Sequence, residues 1–180
     1  SPADEHVESI RIKLQGEEWT DLPVETVLKD PLCALRARSE KMSAIWTMCE
    51  EVGRPLETLA ACHEGVHTGN IRAKLFSQSA EGPCSRQMLK GADIHRFNFT
   101  YTGRWINYDR SLINRSSGEY ASLRNPEIFK GPKLLSRQTT DRLIVCRDQG
   151  DYITDNSIHT IRLHTWDENE FKWLLLFLNS

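Results

Sequence analysis

The sequence predicts an α+β domain with a mostly antiparallel, β-rich core, an amphipathic helix near its N-terminus and an apolar helix at its C-terminal end. Three observations predict it. Leu32 to Val52 carries apolar residues at helical spacing. From residue 56 to 164 no helical period is sustained, and short β-prone runs are separated by Gly, Pro, Asn and Asp. After Asp167, a nearly unbroken apolar run closes the chain.

Each element follows from local chemistry. Residues 7–14 alternate apolar and polar side chains as a half-buried strand does, and Gly16 turns the chain. Asp30 and Pro31 read as an N-cap and first helical residue, since a short acceptor and a ring-fixed φ suit those positions. Leu32, Leu35, Met42, Ile45, Trp46, Cys49 and Val52 follow at helical spacing, until Gly53 and Pro55 stop the run. That stripe, Met42 and Trp46 included, is expected to be core.

Strands are expected over 105–108, 133–137, 143–147, 152–154 and 157–163. The turn Asp148-Gln149-Gly150-Asp151 is expected to fold one strand back on the next as a hairpin. Asp167 and Glu170 have capping-box spacing and open a helix through Phe171, Trp173, Leu174, Leu175, Leu176, Phe177 and Leu178. A helix apolar nearly all round is expected to be buried on more than one side, so this chain is expected to stop short of sequence that covers it. The part left exposed predicts self-association through this helix.

The chain of 180 residues can bury one substantial core, and its 39% hydrophobic and 27% charged residues are ordinary for a soluble protein. No apolar run approaches the roughly 20 residues that span a bilayer, so no membrane partner is expected. Cys33, Cys49, Cys62, Cys84 and Cys146 are an odd number without a C-x-x-C pair. Reduced thiols and a cytoplasmic setting are therefore expected. The net charge of −2 conceals an uneven distribution. Residues 1–60 hold 7 Lys and Arg against 12 Asp and Glu, residues 61–150 hold 14 against 8, and residues 151–180 hold 2 against 5. The basic middle is mostly Arg, whose planar fork suits phosphates and guanine edges.

His63-Glu64-Gly65-Val66-His67 matches H-E-x-x-H, the zinc-peptidase signature. That chemistry needs both histidines on one helical face, whereas Gly65 and Val66 form helix poorly and Thr68-Gly69-Asn70 reads as a turn. The match reads as chance, and a small zinc hydrolase stays as the enzymatic alternative. A protein-interaction module without DNA contact is the other. No Asp/Asn-Pro-Pro-Tyr/Phe motif, phosphate-binding glycine loop or G-x-S-x-G elbow is present, so the chain is expected to be inactive alone, with no catalytic residue, metal or cofactor of its own.

Several segments resemble, in order, the landmarks of one family. Gly65-Val66-His67-Thr68-Gly69-Asn70 is similar to a glycine–threonine–glycine turn. Gly91-Ala92-Asp93-Ile94-His95-Arg96-Phe97 resembles a G-x-D-I-x-R-Y segment, with Phe97 replacing tyrosine. Trp105-Ile106-Asn107-Tyr108 is similar to the aromatic strand that follows it. Pro132-Lys133-Leu134-Leu135-Ser136-Arg137 resembles P-K-I-L-x-R. Arg142-Leu143-Ile144, then Tyr152-Ile153-Thr154-Asp155-Asn156-Ser157, is similar to an R-L-I … Y-x-T-D-N-S hairpin, and Leu174 to Ser180 resembles the start of an L-L-a-L-L-N-S helix.

Over roughly residues 56–180 the chain resembles the TaqI-like C-terminal specificity domain, the target-recognition domain of adenine-specific DNA methyltransferases in restriction–modification. The resemblance implies double-stranded DNA as partner and a methyltransferase domain in the same polypeptide. It also implies S-adenosylmethionine as the parent's cofactor, methyl transfer to an adenine amino group there, and in many members a fused endonuclease. Residues 1–55 are then expected to lead in from the catalytic side, and 56–180 to form the recognition domain, truncated at its C-terminal end.

Several of the landmark residues are expected to serve the fold. Gly65, Gly69, Gly91 and Pro132 serve backbone geometry. Asp93, Asp155 and Asn156 are expected to cap turns, and Phe97, Trp105, Tyr108, Phe129 and Tyr152 to be core. The DNA-binding candidates are the polar and basic residues beside the landmarks: Thr68, Asn70, Arg72, Lys74, Arg96, Arg104, Arg115, Lys133, Arg137, Gln138, Thr139 and Arg142. Lys and most Arg are expected on phosphates, with a few Arg, Asn or Gln on base edges.

Overall fold

Two units make up the chain, Ser1–Arg54 and Pro55–Ser180, and the computed structural model describes residues 8–13, 19–29 and 40–180 of them. In the first unit, β1 (Ser9–Lys13) pairs antiparallel with β2 (Trp19–Pro23), Lys13 opposite Trp19. Arg11 faces Asp21 across the ladder and forms an exposed ion pair at 3.0 Å. Two helices follow, α1 (Val24–Lys29) and α2 (Glu40–Val52). The expected strand is β1, whereas β2 and α1 carry no periodic signal.

The expected helix lies partly outside the described residues, as do Asp30, Pro31, Leu32, Leu35, the turn at Gly16 and the side chain of Met42. Where α2 is described, its apolar stripe is not core. Ile45, Trp46, Cys49 and Val52 are exposed, and among the described residues of this unit Val27 alone is buried. Helical spacing reports which side chains share a face; burial needs a second surface to cover it.

The second unit is built on two four-stranded sheets. One runs β3 (Ala60–Glu64), β10 (Ile158–Leu163), β7 (Lys133–Arg137), β8 (Val145–Asp148), antiparallel throughout. The other runs β4 (Phe76–Ser77), β6 (Trp105–Asn107), β5 (Ser85–Leu89), β9 (Ile153–Thr154), antiparallel except for the β5–β9 pair. A short α3 (Arg72–Leu75) leads into β4, and α4 (Glu168–Leu178) closes the chain. The mostly antiparallel α+β architecture is the one that the sequence predicts.

Strand β7 shows why the core has two faces. Lys133, Leu134, Leu135 and Ser136 are all buried. Successive strand side chains point to opposite faces. Accordingly Leu134 joins Val145, Ile161, Phe171 and Leu174 toward α4, while Leu135 joins Leu89, Ile94, Cys146 and Ile158 on the other side. A third cluster, Val66, Ile71, Leu75, Met88, Ile106, Leu123, Phe129 and Ile153, packs around the second sheet.

The expected hairpin about residues 148–151 is not formed. Strand β8 pairs with β7 while β9 pairs in parallel with β5, so the turn carries the chain from one sheet to the other. Turn residues report a reversal, not the strand that the next segment will join. At α4 the expected N-cap is present, with Asp167 accepting from the Glu170 N–H at 2.7 Å. One side of this helix is buried through Phe171 and Leu174; Trp173, Leu176 and Phe177 are exposed. No helix of the described residues is long and apolar enough to cross a membrane.

Candidate nucleic-acid interface

The turn between β3 and α3 is locked by its neighbours. Gly69 has φ +51°, a left-handed conformation that favours glycine, and a Cβ there would overlap the Tyr120 carbonyl oxygen. At Gly65 a Cβ would overlap the carbonyls of Thr154 and Asp155. The Val66 N–H donates to Thr154 at 2.7 Å, and the Val66 carbonyl accepts from the Asn156 N–H at 3.0 Å. The turn thus docks on the Thr154–Asn156 segment.

Asn70 and Lys74 hold a second loop against this turn. Asn70 accepts from the Tyr120 N–H at 2.9 Å and donates to the Gly118 carbonyl at 3.1 Å. Lys74 pairs with Glu119, whose carboxylate also accepts from the Asn114 N–H at 3.0 Å. Lys74 first, then that N–H, hold the Glu119 carboxyl below its ordinary range. Both candidates are therefore occupied in positioning the loop that presents Arg115, which is exposed and has no side-chain hydrogen bond or ion pair among the described residues. Thr68 is half-buried, and its carbonyl accepts from the Ile71 N–H at 3.2 Å.

Beside this loop lies a recess of about 430 Å³ edged by Arg110, Arg115 and Arg124. Arg124 has φ +61° and donates to the Gly65 carbonyl at 3.1 Å and to Glu64 at 2.5 Å. Arg110 donates to the Arg124 carbonyl at 2.6 Å. Glu64 also meets His67 Nε2 at 3.1 Å, and the His67 contact is the main reason that its carboxyl lies below the ordinary range. The H-E-x-x-H motif is thus strand and turn: His63 and Glu64 are consecutive in β3 and point to opposite faces, so no helical face unites the histidines.

The other candidates fall in separate places. Arg72 is exposed, with its guanidinium carbon 5.0 Å from the centre of the Phe76 ring. Arg104 is held by Asp93, its Nη1 lying 2.8 and 2.6 Å from the two carboxylate oxygens. Asp93 also accepts from the Lys90 N–H at 2.8 Å, the turn-capping role expected of it. Asp155 likewise accepts from the Ser157 N–H at 3.1 Å. Arg96 donates to the Asn179 carbonyl and leans over Phe97 at 5.6 Å.

Arg137 ends β7, and Gln138, Thr139 and Arg142 follow in the loop between β7 and β8. The Arg137 N–H donates to Ile144, and the Gln138 N–H to Ser157 at 2.9 Å. The side chains of Gln138, Thr139 and Arg142 are exposed, and Arg142 pairs loosely with exposed Asp141 at 3.4 Å.

Two sequence expectations need correction. Lys133 is fully buried, 2.6 Å from the buried Asp148, and donates to the Gly150 carbonyl at 2.6 Å. It cannot reach DNA. Its position one residue before the Leu134–Leu135 pair is the reason, since β7 is covered from Lys133 to Ser136. Phe97, expected in the core, is 46% exposed with φ +71°. It borders a second recess of about 430 Å³, shared with Asn98, Arg147, Gln149 and Tyr152. Phe129 is core as expected, whereas Trp105, Tyr108 and Tyr152 are half-buried.

The structure thus collects Thr68, Asn70, Lys74 and Arg115 at one turn and loop, and places Arg137, the loop that follows it and Arg96 elsewhere. It adds Lys90, Arg110, Arg124 and Gln149, which sequence reasoning passed over. The basic composition of residues 61–150 was the available signal, but proximity across chain segments was not. A family model described as the TaqI-like C-terminal specificity domain matches residues 86–180. No curated protein matches the chain.

Proposed function

Because this chain belongs to the family of TaqI-like C-terminal specificity domains, we propose that it selects the duplex DNA sequence at which a methyltransferase domain of the same polypeptide methylates an adenine amino group. DNA specificity for a methyltransferase-type enzyme is the family's role. The adenine target, the methyl donor S-adenosylmethionine and a restriction–modification setting belong to the proposal. The family match over residues 86–180 carries this reading, and the cation-edged recess at Arg110, Arg115 and Arg124 agrees with it.

S-adenosylmethionine is assigned to the methyltransferase domain. The turn from β3 into α3 has two glycines, and backbone of Asp155 lies against Gly65 and Tyr120 against Gly69, so both glycines serve the packing of the fold. Flipping of the target base likewise belongs to the parent enzyme.

Contact roles divide by environment. Exposed Arg72 and Arg115 suit phosphates, while Gln138, Thr139 and Arg142 on an exposed loop suit base edges. Arg96, Arg104, Asn70 and Lys74 position backbone through the contacts described above.

The test is duplex binding by the chain at increasing salt. The logarithm of affinity should fall linearly with that of salt, by about 0.9 for each phosphate contacted. In a selection from randomised duplexes, Gln138→Ala or Arg142→Ala should relax preference at one position, worth roughly 1–3 kcal/mol there. Arg115→Ala should weaken all sequences alike. Absence of any salt-dependent duplex binding would overturn the proposal.

A further inference from the structure

Phe76, the first residue of β4, carries two cations on one ring. The Arg72 guanidinium carbon lies 5.0 Å from the ring centre and the Lys90 ammonium 4.9 Å. They come from different segments: Arg72 opens α3, four residues before Phe76, while Lys90 directly follows β5. A ring face attracts a cation, which explains why each stays there. It does not explain why two like charges are brought together.

The nearby carboxylates do not pair directly with them. Asp93 is engaged by Arg104 through both oxygens and by the Lys90 N–H. Asp155 is engaged by the N–H and hydroxyl of Ser157. Among the described residues neither Arg72 nor Lys90 has a carboxylate within ion-pair distance. Partial burial first, then Arg72 and Arg104, push the Lys90 ammonium below its ordinary value, while Asp155 and Asp93 oppose the shift. The group is short of negative charge at a place that the fold otherwise defines closely.

We propose that Arg72 and Lys90, gathered on the Phe76 ring, form a two-pronged clamp for a single backbone phosphate of DNA. A guanidinium and an ammonium, each about 5 Å from the centre of one ring, can each donate to a different non-bridging oxygen of one phosphate. The anion then offsets the repulsion between them. The ring serves as a fixed rest for both stems, so the clamp is ordered before DNA arrives. The inference rests on the DNA reading above and adds Lys90 and Phe76 to it.

Two measurements on the chain test it. The first is the salt dependence of duplex binding by Arg72→Gln, Lys90→Gln and the double variant, each checked for an unchanged unfolding midpoint. One shared phosphate predicts that each single change, which leaves the other cation on it, lowers the slope by less than a whole phosphate, and that the double lowers it by about 0.9. An unchanged slope in the double variant, or a double loss near 1.8, overturns the clamp.

The second measurement follows the Lys90 side chain by nuclear magnetic resonance through alkaline pH, in inorganic phosphate and in chloride of equal ionic strength. Phosphate should raise the Lys90 pKa in the native chain and leave it unchanged in Arg72→Gln. The absence of a phosphate effect overturns the clamp even if DNA binds. If phosphate acts through both residues while no duplex binds, the clamp stands and the DNA reading falls.

Discussion

The side-chain amide of Asn179 pairs with the main chain of Val145 as a neighbouring strand would. Its Oδ1 accepts from the Val145 N–H at 3.1 Å, and its Nδ2 donates to the Val145 carbonyl at 2.9 Å. Val145 begins the edge strand β8, and Asn179 follows α4, so one buried amide ties the closing helix to the sheet. Asn179→Ala should cost about 2–3 kcal/mol, because the buried Val145 N–H loses its partner. Asn179→Asp should cost at least as much, since a carboxylate then faces the Val145 carbonyl. Urea unfolding checks both.

Gly65→Ala tests the docking of the first turn. The added methyl would overlap the carbonyls of Thr154 and Asp155, which are backbone and cannot rotate away. The expected loss is about 3 kcal/mol, at the upper end of overpacking costs. Gly103→Ala should be far milder: its φ is +79°, but no neighbour lies near the added carbon. A similar urea midpoint for the two would refute the close approach.

The buried pair of Lys133 and Asp148 predicts a non-additive result. Burial pushes the Lys133 ammonium below its ordinary value, while Asp148 holds it up. Lys133→Met alone leaves the Asp148 charge buried without its partner and should cost about 3–5 kcal/mol. Adding Asp148→Leu should restore most of that loss. Neither change should alter the salt slope of DNA binding, because no part of Lys133 reaches the surface.

Acid should act in part through three glutamates. His67 and Arg124 hold Glu64 below its ordinary value of 4.5, Lys74 and the Asn114 N–H hold Glu119, and Arg147 and Lys172 hold Glu168. Folded values below the unfolded one mean that the contribution is complete above pH 4.5 and is lost as pH falls through the lower folded values. Replacing all three with Gln should flatten the acid limb of the urea midpoint against pH and leave the curve above pH 5 parallel to that of the native chain.

Helix α4 should separate its two faces. Phe171, 1% exposed, should cost about 3–5 kcal/mol when changed to Ala. Leu176, 62% exposed, should cost no more than about 0.5 kcal/mol when changed to Lys. Trp173 and Phe177 stack at 5.0 Å on the exposed side. Light scattering at rising concentration should register self-association that Leu176→Lys removes.

Local chemistry alone determined a good part of this protein. The Asp167 cap, the apolar run after it and the strand at 133–137 were legible because each depends on a few neighbouring residues. The order of landmarks likewise identified the family, since it needs no coordinates. Tertiary structure decided the rest. Lys133 reads as a surface cation until Asp148 is found opposite it in the next strand. The stripe on α2 reads as core until its exposure is seen. The turn at 148–151 reads as a hairpin until β9 is found beside β5. Arg72 and Lys90 are 18 residues apart in the chain and share a ring only once β5 and α3 are placed. In each case the deciding quantity is which distant surface covers or neutralises a group, and spacing along the chain holds no information about that.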